Sequence, residues 1–292
     1  MAISGRSSKA TSDGENTHTV SLGDERRLTY AEYGHAEGAP VVFLHGTPGS
    51  RRLGGLFAPA ARRAGIRVLA PDRPGYGRST PWPDWSVADA GAFVAAVLDD
   101  AGVETAGLVA FSGGSPYALA AAETLPDRVT RVDAVAGATP PDLSSTIPPM
   151  QRVLAGLATA TPLVLRGLFR GQAWLARRLD PSVVVSQYTT GDPESVPDDV
   201  AELIRGDFVE AFARYRAGAV TEFRESTRDW GVDFAAIDQP VRLWHGESDT
   251  NVPLAGVRRL EARVPTARLH VVDADHLRTL LRCRSDVLDG HR

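Results

Sequence analysis

Short runs of uninterrupted apolar residues, each closed by a turn, constrain this chain more than any other feature. Val41–Leu44 and Ala106–Phe111 are such runs, and Ile66–Ala70, Val132–Ala136 and Val241–Trp244 are apolar but for one charged residue each. A strand without polar alternation is buried on both faces, as in a parallel sheet. Helical segments fall between the runs: Phe57–Ala64, Val87–Asp100, Ala118–Leu125, Leu254–Arg263 and Leu277–Leu288. In the second, Val87, Ala90, Val94, Val97 and Leu98 are spaced to share one helix face. The pattern predicts an α/β fold, with a mostly parallel central sheet and helices on both faces. Arg268–Val272 predicts a further strand near the end. Thr19–Leu22 and Leu28–Tyr33, either side of Gly23-Asp24-Glu25, predict an antiparallel hairpin ahead of the sheet.

The rhythm breaks once. From 140 to 230 the strand signals fade and prolines punctuate helical stretches, the best being Val153–Leu157, Leu163–Leu179 and Val200–Phe223. We expect a helical cap over 140–230, inserted into a core made of 18–139 and 231–292. Residues 1–17, polar and rich in Ser, Gly and Thr, are expected to form a flexible tail with no secretory signal. The Leu, Val, Phe and Trp content of the insertion suits a substrate with an apolar moiety, and equally suits packing of the insertion's own helices.

Composition excludes several classes of function. The 292 residues carry a net charge of −4, which leaves no basic footprint for nucleic acid. No run of 18 apolar residues is present, so no membrane span is expected. A single cysteine, Cys283, cannot form an intrachain disulfide, which fits a reducing, cytoplasmic setting. It reads as a small apolar filler of the last helix. The seven histidines show no metal-ligand spacing, and neither a dinucleotide fingerprint nor a phosphate-binding loop occurs. No metal and no cofactor are expected. The oligomeric state is left open.

Strand ends are where a doubly covered sheet presents its chemistry. The most informative is Ala110-Phe111-Ser112-Gly113-Gly114-Ser115. A buried strand turning through small residues into an Ala-rich helix projects the Ser112 hydroxyl above the sheet, with helix-opening N–H groups facing whatever it attacks. Ala110 stands where the G-x-S-x-G elbow has its first glycine. Ser115 is a weaker candidate, because Tyr117 occupies the position two residues on, where a small residue is needed.

Four signatures in order now resemble the α/β-hydrolase family, in its capped, cofactor-independent branch. They are His45-Gly46-Thr47-Pro48-Gly49, Asp72-Arg73-Pro74-Gly75-Tyr76-Gly77-Arg78-Ser79, the Ser112 elbow, and His245-Gly246-x-x-Asp249 followed by His276. The resemblance runs from about Val41 to His276. It implies Ser112 as nucleophile, His276 as base and Asp249 as the acid that orients the imidazole, in the family's chain order. Asp142, after the Val132–Ala136 strand, is the main competing acid; Glu247, Asp273 and Asp275 are also near in sequence. The oxyanion hole is expected from the backbone N–H groups of Thr47 and Gly113, each worth ~3 kcal/mol of transition-state stabilisation. His45 and the Asp72–Ser79 loop are expected to be scaffold.

The implied activity is a serine hydrolase cleaving a carboxylic ester through an acyl-enzyme. The same triad also serves lactone, amide and carbon–carbon hydrolysis and perhydrolysis. A non-catalytic receptor for a small ligand is the reading of another class. An aspartate nucleophile, as in related epoxide hydrolases and dehalogenases, is excluded by the serine at the elbow.

Overall fold

The structure is a computed structural model describing residues 9–10, 16–23, 25–82, 84–144 and 149–292. In chain order the strands are β1 (Lys9–Ala10), β2 (Asn16–Ser21), β3 (Arg27–Gly34), β4 (Ala39–Leu44), β5 (Ile66–Pro71), β6 (Ala106–Phe111), β7 (Val129–Val135), β8 (Val241–Gly246) and β9 (Ala267–Val272). Helices α1 (Ala58–Ala64), α2 (Ala90–Ala101) and α3 (Ser115–Thr124) alternate with the first of these. Between β7 and β8 lie α4 (Pro149–Ala160), α5 (Pro162–Ala176), α6 (Pro181–Val185), α7 (Asp198–Ala211) and α8 (Ala217–Glu225). The chain closes with α9 (Leu254–Arg263) and α10 (His276–Asp289).

Among the described residues the strands form one sheet in the order β1-β2-β3-β5-β4-β6-β7-β8-β9. From β5 to β9 every pairing is parallel, while β1, β2 and β3 run antiparallel to their neighbours. Side chains along a strand alternate between faces, and this divides the core in two. Val42, Leu44, Leu108 and Ala110 join α2 and α3 on one side. Val41, Phe43, Val109 and Phe111 join α1, α10 and part of the insertion on the other. Each fully buried aliphatic side chain of this kind contributes about 1.5–3 kcal/mol. This two-sided burial is the physical reason why β4 and β6 read as unbroken apolar runs.

Several element bounds differ from the sequence reading. Lys9–Ala10, inside the stretch expected to be a free tail, pairs with Asn16 and Thr17 at the edge of the sheet. Asp24 of the expected hairpin turn and residues 145–148, at the start of the expected insertion, lie outside the described residues. Helix α3 starts three residues early because Pro116 sits in its first turn, where no backbone N–H is needed. The stretch Val200–Phe223 is two helices, not one. The first ends where Phe212 and Ala213 turn back in i→i+3 bonds to the Val209 and Glu210 carbonyls, at 3.3 and 3.0 Å, and its last carbonyl, that of Ala211, accepts from Gly77 N–H at 3.2 Å. No glycine or proline marks that break between 212 and 216.

Candidate active site

Ser112 follows the last residue of β6 and adopts φ 51°. A non-glycine residue in that region is strained and is held there by its surroundings. Here the surroundings are tight. A Cβ on Gly113 would lie 2.2 Å from Thr47 Oγ1, and one on Gly114 would lie 2.3 Å from the Leu44 carbonyl oxygen. Only glycine lets the turn lie this close to the loop after β4. Ala110, the departure from glycine, is fully buried in the apolar cluster of β6, α2 and α3.

His276 opens α10, directly beyond the β9 turn. Its Nε2 lies 2.9 Å from Ser112 Oγ, and its Nδ1 lies 2.7 Å from Asp249 Oδ2. The carboxylate can only accept, so Nδ1 carries the proton and Nε2 is free to accept from the serine hydroxyl. The imidazole is buried and packs against Phe111, ring centres 5.0 Å apart. Asp249 is fixed by two backbone donors, Asn251 N–H and Val252 N–H, each 2.9 Å from Oδ1. A chain of this form lets an imidazole take a hydroxyl proton while a carboxylate steadies the resulting cation.

The competing acids lie elsewhere. Asp142 is exposed and pairs with Arg263. Glu247 and Asp273 are exposed. Asp275 caps α10 by accepting from Arg278 N–H at 2.9 Å, and also accepts from the Thr189 hydroxyl and Thr190 N–H. Burial pushes its carboxyl upward, but these donors prevail and hold it below the usual range. Asp275 thereby ties the helix that carries His276 to the insertion. Ser115 Oγ is buried with no partner among the described residues and is not in the Ser112 network.

Thr47 and Gly113 come together, with Thr47 N 3.2 Å from where a Gly113 Cβ would be. Neither N–H has a backbone partner among the described residues. The Gly46 carbonyl accepts from Arg73 Nη2 at 3.1 Å and from His45 Nδ1 at 2.8 Å. A peptide's C=O and N–H point opposite ways, so this turns the Thr47 N–H away from Arg73. His45 Nε2 accepts from Arg73 N–H at 3.2 Å. Burial, then the Arg73 charge, hold its pKa well below the usual histidine value, so it is a neutral brace.

Sequence reasoning missed the group behind this loop. Glu222, on α8, receives Arg73 Nε at 2.7 Å, Arg73 Nη2 at 2.9 Å, the Tyr76 hydroxyl at 2.8 Å and the Thr47 hydroxyl at 2.5 Å. The Arg73 guanidinium is fully buried and also lies over the Tyr117 ring, 5.0 Å from its centre. Burial and the Glu222 charge drive the Tyr76 and Tyr117 hydroxyls well above the ordinary tyrosine pKa. A lone glutamate in Thr221-Glu222-Phe223-Arg224 carries no local signal of this.

Ser112, Gly113 and Thr47 open onto a cavity of about 580 Å³. Its wall is mainly apolar, with Leu154, Phe169, Phe208, Phe223 and Trp230 among the lining residues. Glu222 and Glu225 are its charged groups, joined by neutral amides such as Gln151 and Asn251. No lining residue is Arg, Lys or His among the described residues. No group of His, Cys, Asp and Glu among those residues has the arrangement of a metal site.

Residues 39–280 match the family described as alpha/beta hydrolase fold. The chain belongs to the α/β hydrolase fold family, and hydrolysis is the activity this membership supports. Among characterised relatives, it is 29% identical over 275 residues to a 2-hydroxy-6-oxononadienedioate/2-hydroxy-6-oxononatrienedioate hydrolase of Cupriavidus pinatubonensis, covering 87% of this chain and 85% of that one. It is also 29% identical to a 2-hydroxymuconate semialdehyde hydrolase of Pseudomonas putida, over 80% of this chain and 79% of that one. Among solved structures, the enol-lactonase from Burkholderia xenovorans LB400 superposes with TM-score 0.69 at 20% identity, covering 92% of this chain and 98% of the other. A putative aryl esterase from Burkholderia cenocepacia gives 0.70 at 18%, covering 94% and 97%.

Proposed function

We propose that this protein is a serine hydrolase of uncharged carboxylic esters, with Ser112 as nucleophile, His276 as general base and acid, and Asp249 as the acid that orients it. The observation that carries the reading is the hydrogen-bonded chain from Asp249 through His276 to Ser112, opening on a cavity beside two N–H groups that have no backbone partner among the described residues. Ser112 Oγ attacks the substrate carbonyl as His276 Nε2 takes the hydroxyl proton. The carbonyl oxygen becomes an oxyanion beside the Thr47 and Gly113 N–H groups. His276 returns the proton to the departing alcohol, and the acyl group stays on Ser112. Water, deprotonated by His276, then attacks the acyl carbonyl and frees the acid. The helical insertion serves as the cap that walls this chamber.

Carbon–carbon hydrolysis is the second reading, favoured by the names of relatives aligned over most of the chain. Those names specify anionic substrates; Glu222 and Glu225 are already paired with Arg73 and Arg228, and no cation among the described lining residues is left to receive a buried anion, which is therefore disfavoured. The cavity's charge therefore supports a neutral ester or lactone over a dicarboxylate. Short p-nitrophenyl esters and a fluorophosphonate probe test this. Wild type should hydrolyse the esters and label at Ser112, and Ser112→Ala should lose at least three orders of magnitude in kcat. Absence of labelling on the folded protein would favour a receptor role.

A further inference from the structure

Helix α5 is apolar on two sides. Leu165, Phe169, Ala173 and Ala176 face inward and are buried. The opposite side carries Leu163 (76% exposed), Val164, Leu168, Trp174 (56% exposed) and Leu175. On α4, Val153 is exposed as well. A helix that turns large apolar side chains both inward and outward is ordinarily covered on both sides, and exposed apolar surface of this extent marks an interaction site.

Charge identifies what covers it. From 149 to 179 the chain has five arginines, Arg152, Arg166, Arg170, Arg177 and Arg178, and no acidic residue. The whole protein is at −4, so without those five it stands at −9. Arg166, Arg170, Arg177 and Arg178 form no ion pair with a carboxylate among the described residues. Arg178 instead lies over the exposed Trp174 ring, 4.0 Å from its centre. After burial, the charges of Arg170 and Arg177 are what lower the Arg216 pKa, which marks a positive field left uncompensated.

We propose that the outward face of α4 and α5 docks on the surface of an anionic lipid bilayer. Arginines beside exposed Leu, Val and Trp form the pattern of a helix lying in a membrane interface. No helix among the described residues is long and apolar enough to cross a membrane, so the contact is peripheral. A second copy on the same face would set five arginines against five, which like-charge repulsion opposes. The same two helices supply Gln151, Leu154, Phe169 and Gln172 to the cavity wall. Resting on the proposed ester hydrolysis, this face brings an apolar neutral ester dissolved in the bilayer to the site.

The test is co-sedimentation with vesicles of phosphatidylcholine containing 30% (about one in three) phosphatidylglycerol, against pure phosphatidylcholine. Binding should need the anionic lipid, weaken in high salt and shift Trp174 fluorescence to the blue. At about 1 kcal/mol per arginine, roughly fivefold each, the triple change Arg166→Gln, Arg170→Gln, Arg177→Gln should weaken binding about 100-fold. Leu163→Ser with Leu168→Ser should abolish the shift. Both variants should keep wild-type turnover of a soluble ester, which shows that they fold. Ser112→Ala should bind vesicles like wild type, which separates this inference from the catalytic reading. Equal binding to both vesicles, no binding, or a stable dimer that buries Trp174 would overturn it.

Discussion

The Thr47 hydroxyl donates to a carboxylate oxygen of Glu222 at 2.5 Å, joining the loop after β4 to helix α8, 175 residues further on. The same carboxylate holds the Arg73 guanidinium that grips the His45 and Gly46 carbonyls. One buried ion pair therefore seats the insertion and aims the Thr47 N–H. Removing one partner of a buried pair costs about 3–5 kcal/mol because the other charge is left uncompensated. Glu222→Gln should lower stability by that order in a urea melt. If Glu222 positions the oxyanion donor, kcat on a soluble ester should fall about 10–100-fold with KM little changed. Thr47→Ser should keep most of kcat and Thr47→Val should not. A KM effect alone would mean that Glu222 only shapes the chamber.

Gly113 permits a sharper test of the same region. A methyl at this position would meet Thr47 Oγ1 at 2.2 Å and Thr47 Cβ at 2.8 Å. Gly113→Ala must therefore push Thr47 away and disturb both proposed oxyanion donors. We expect kcat to drop about 10²–10³-fold or more, with the Ser112–His276 contact retained. Slowed, incomplete fluorophosphonate labelling of a variant with an unchanged circular dichroism spectrum would be the readout.

Two candidate acids can be told apart by one pair of variants. Asp249→Asn should reduce kcat by about 10⁴-fold, because an amide no longer holds His276 in the tautomer that accepts at Nε2. Asp142→Asn removes an exposed pair with Arg263 and should change kcat by less than about threefold. The reverse order would move the acid's role to Asp142.

Strand ends and tight turns follow local rules, and that is why β6, α9, Ser112, Asp249 and His276 could be picked out of the sequence. The three side chains each follow the end of a strand, β6, β8 or β9, where turn residues take over. Glu222 and Asp207 could not, and Asp275 only as a nearby acid, since what matters about them is a partner far along the chain: Thr47 for the first, Ser50 for the second, Thr189 for the third. Nothing in a helix's own spacing reports such a partner. The break after α7 was hidden for a related reason, because the group that meets its last carbonyl, Gly77 N–H, comes from a loop on the sheet. The α5 arginines were visible, but only burial shows that their apolar neighbours face outward.

Asp207 links the insertion to the core and makes that junction pH-dependent. Its Oδ1 accepts from Ser50 N–H at 2.8 Å, the Ser50 hydroxyl at 2.7 Å and Leu53 N–H at 3.2 Å. Burial raises its pKa to about 7, with the hydrogen bonds pulling the other way and the nearby Asp72 charge adding to the rise. The unfolded chain releases this proton near pH ~4. The folded state thus holds a proton that the unfolded state has lost between about pH 4 and 7, so the stability Asp207 contributes is complete below pH ~4 and is lost as pH rises through 7. Asp207→Asn keeps an acceptor at Oδ1 and cannot ionise. The variant should gain on wild type as pH is raised from 4 to 8, by no more than about 4 kcal/mol. Urea midpoints of both proteins across that range check it; parallel curves would show that Asp207 is ionised throughout.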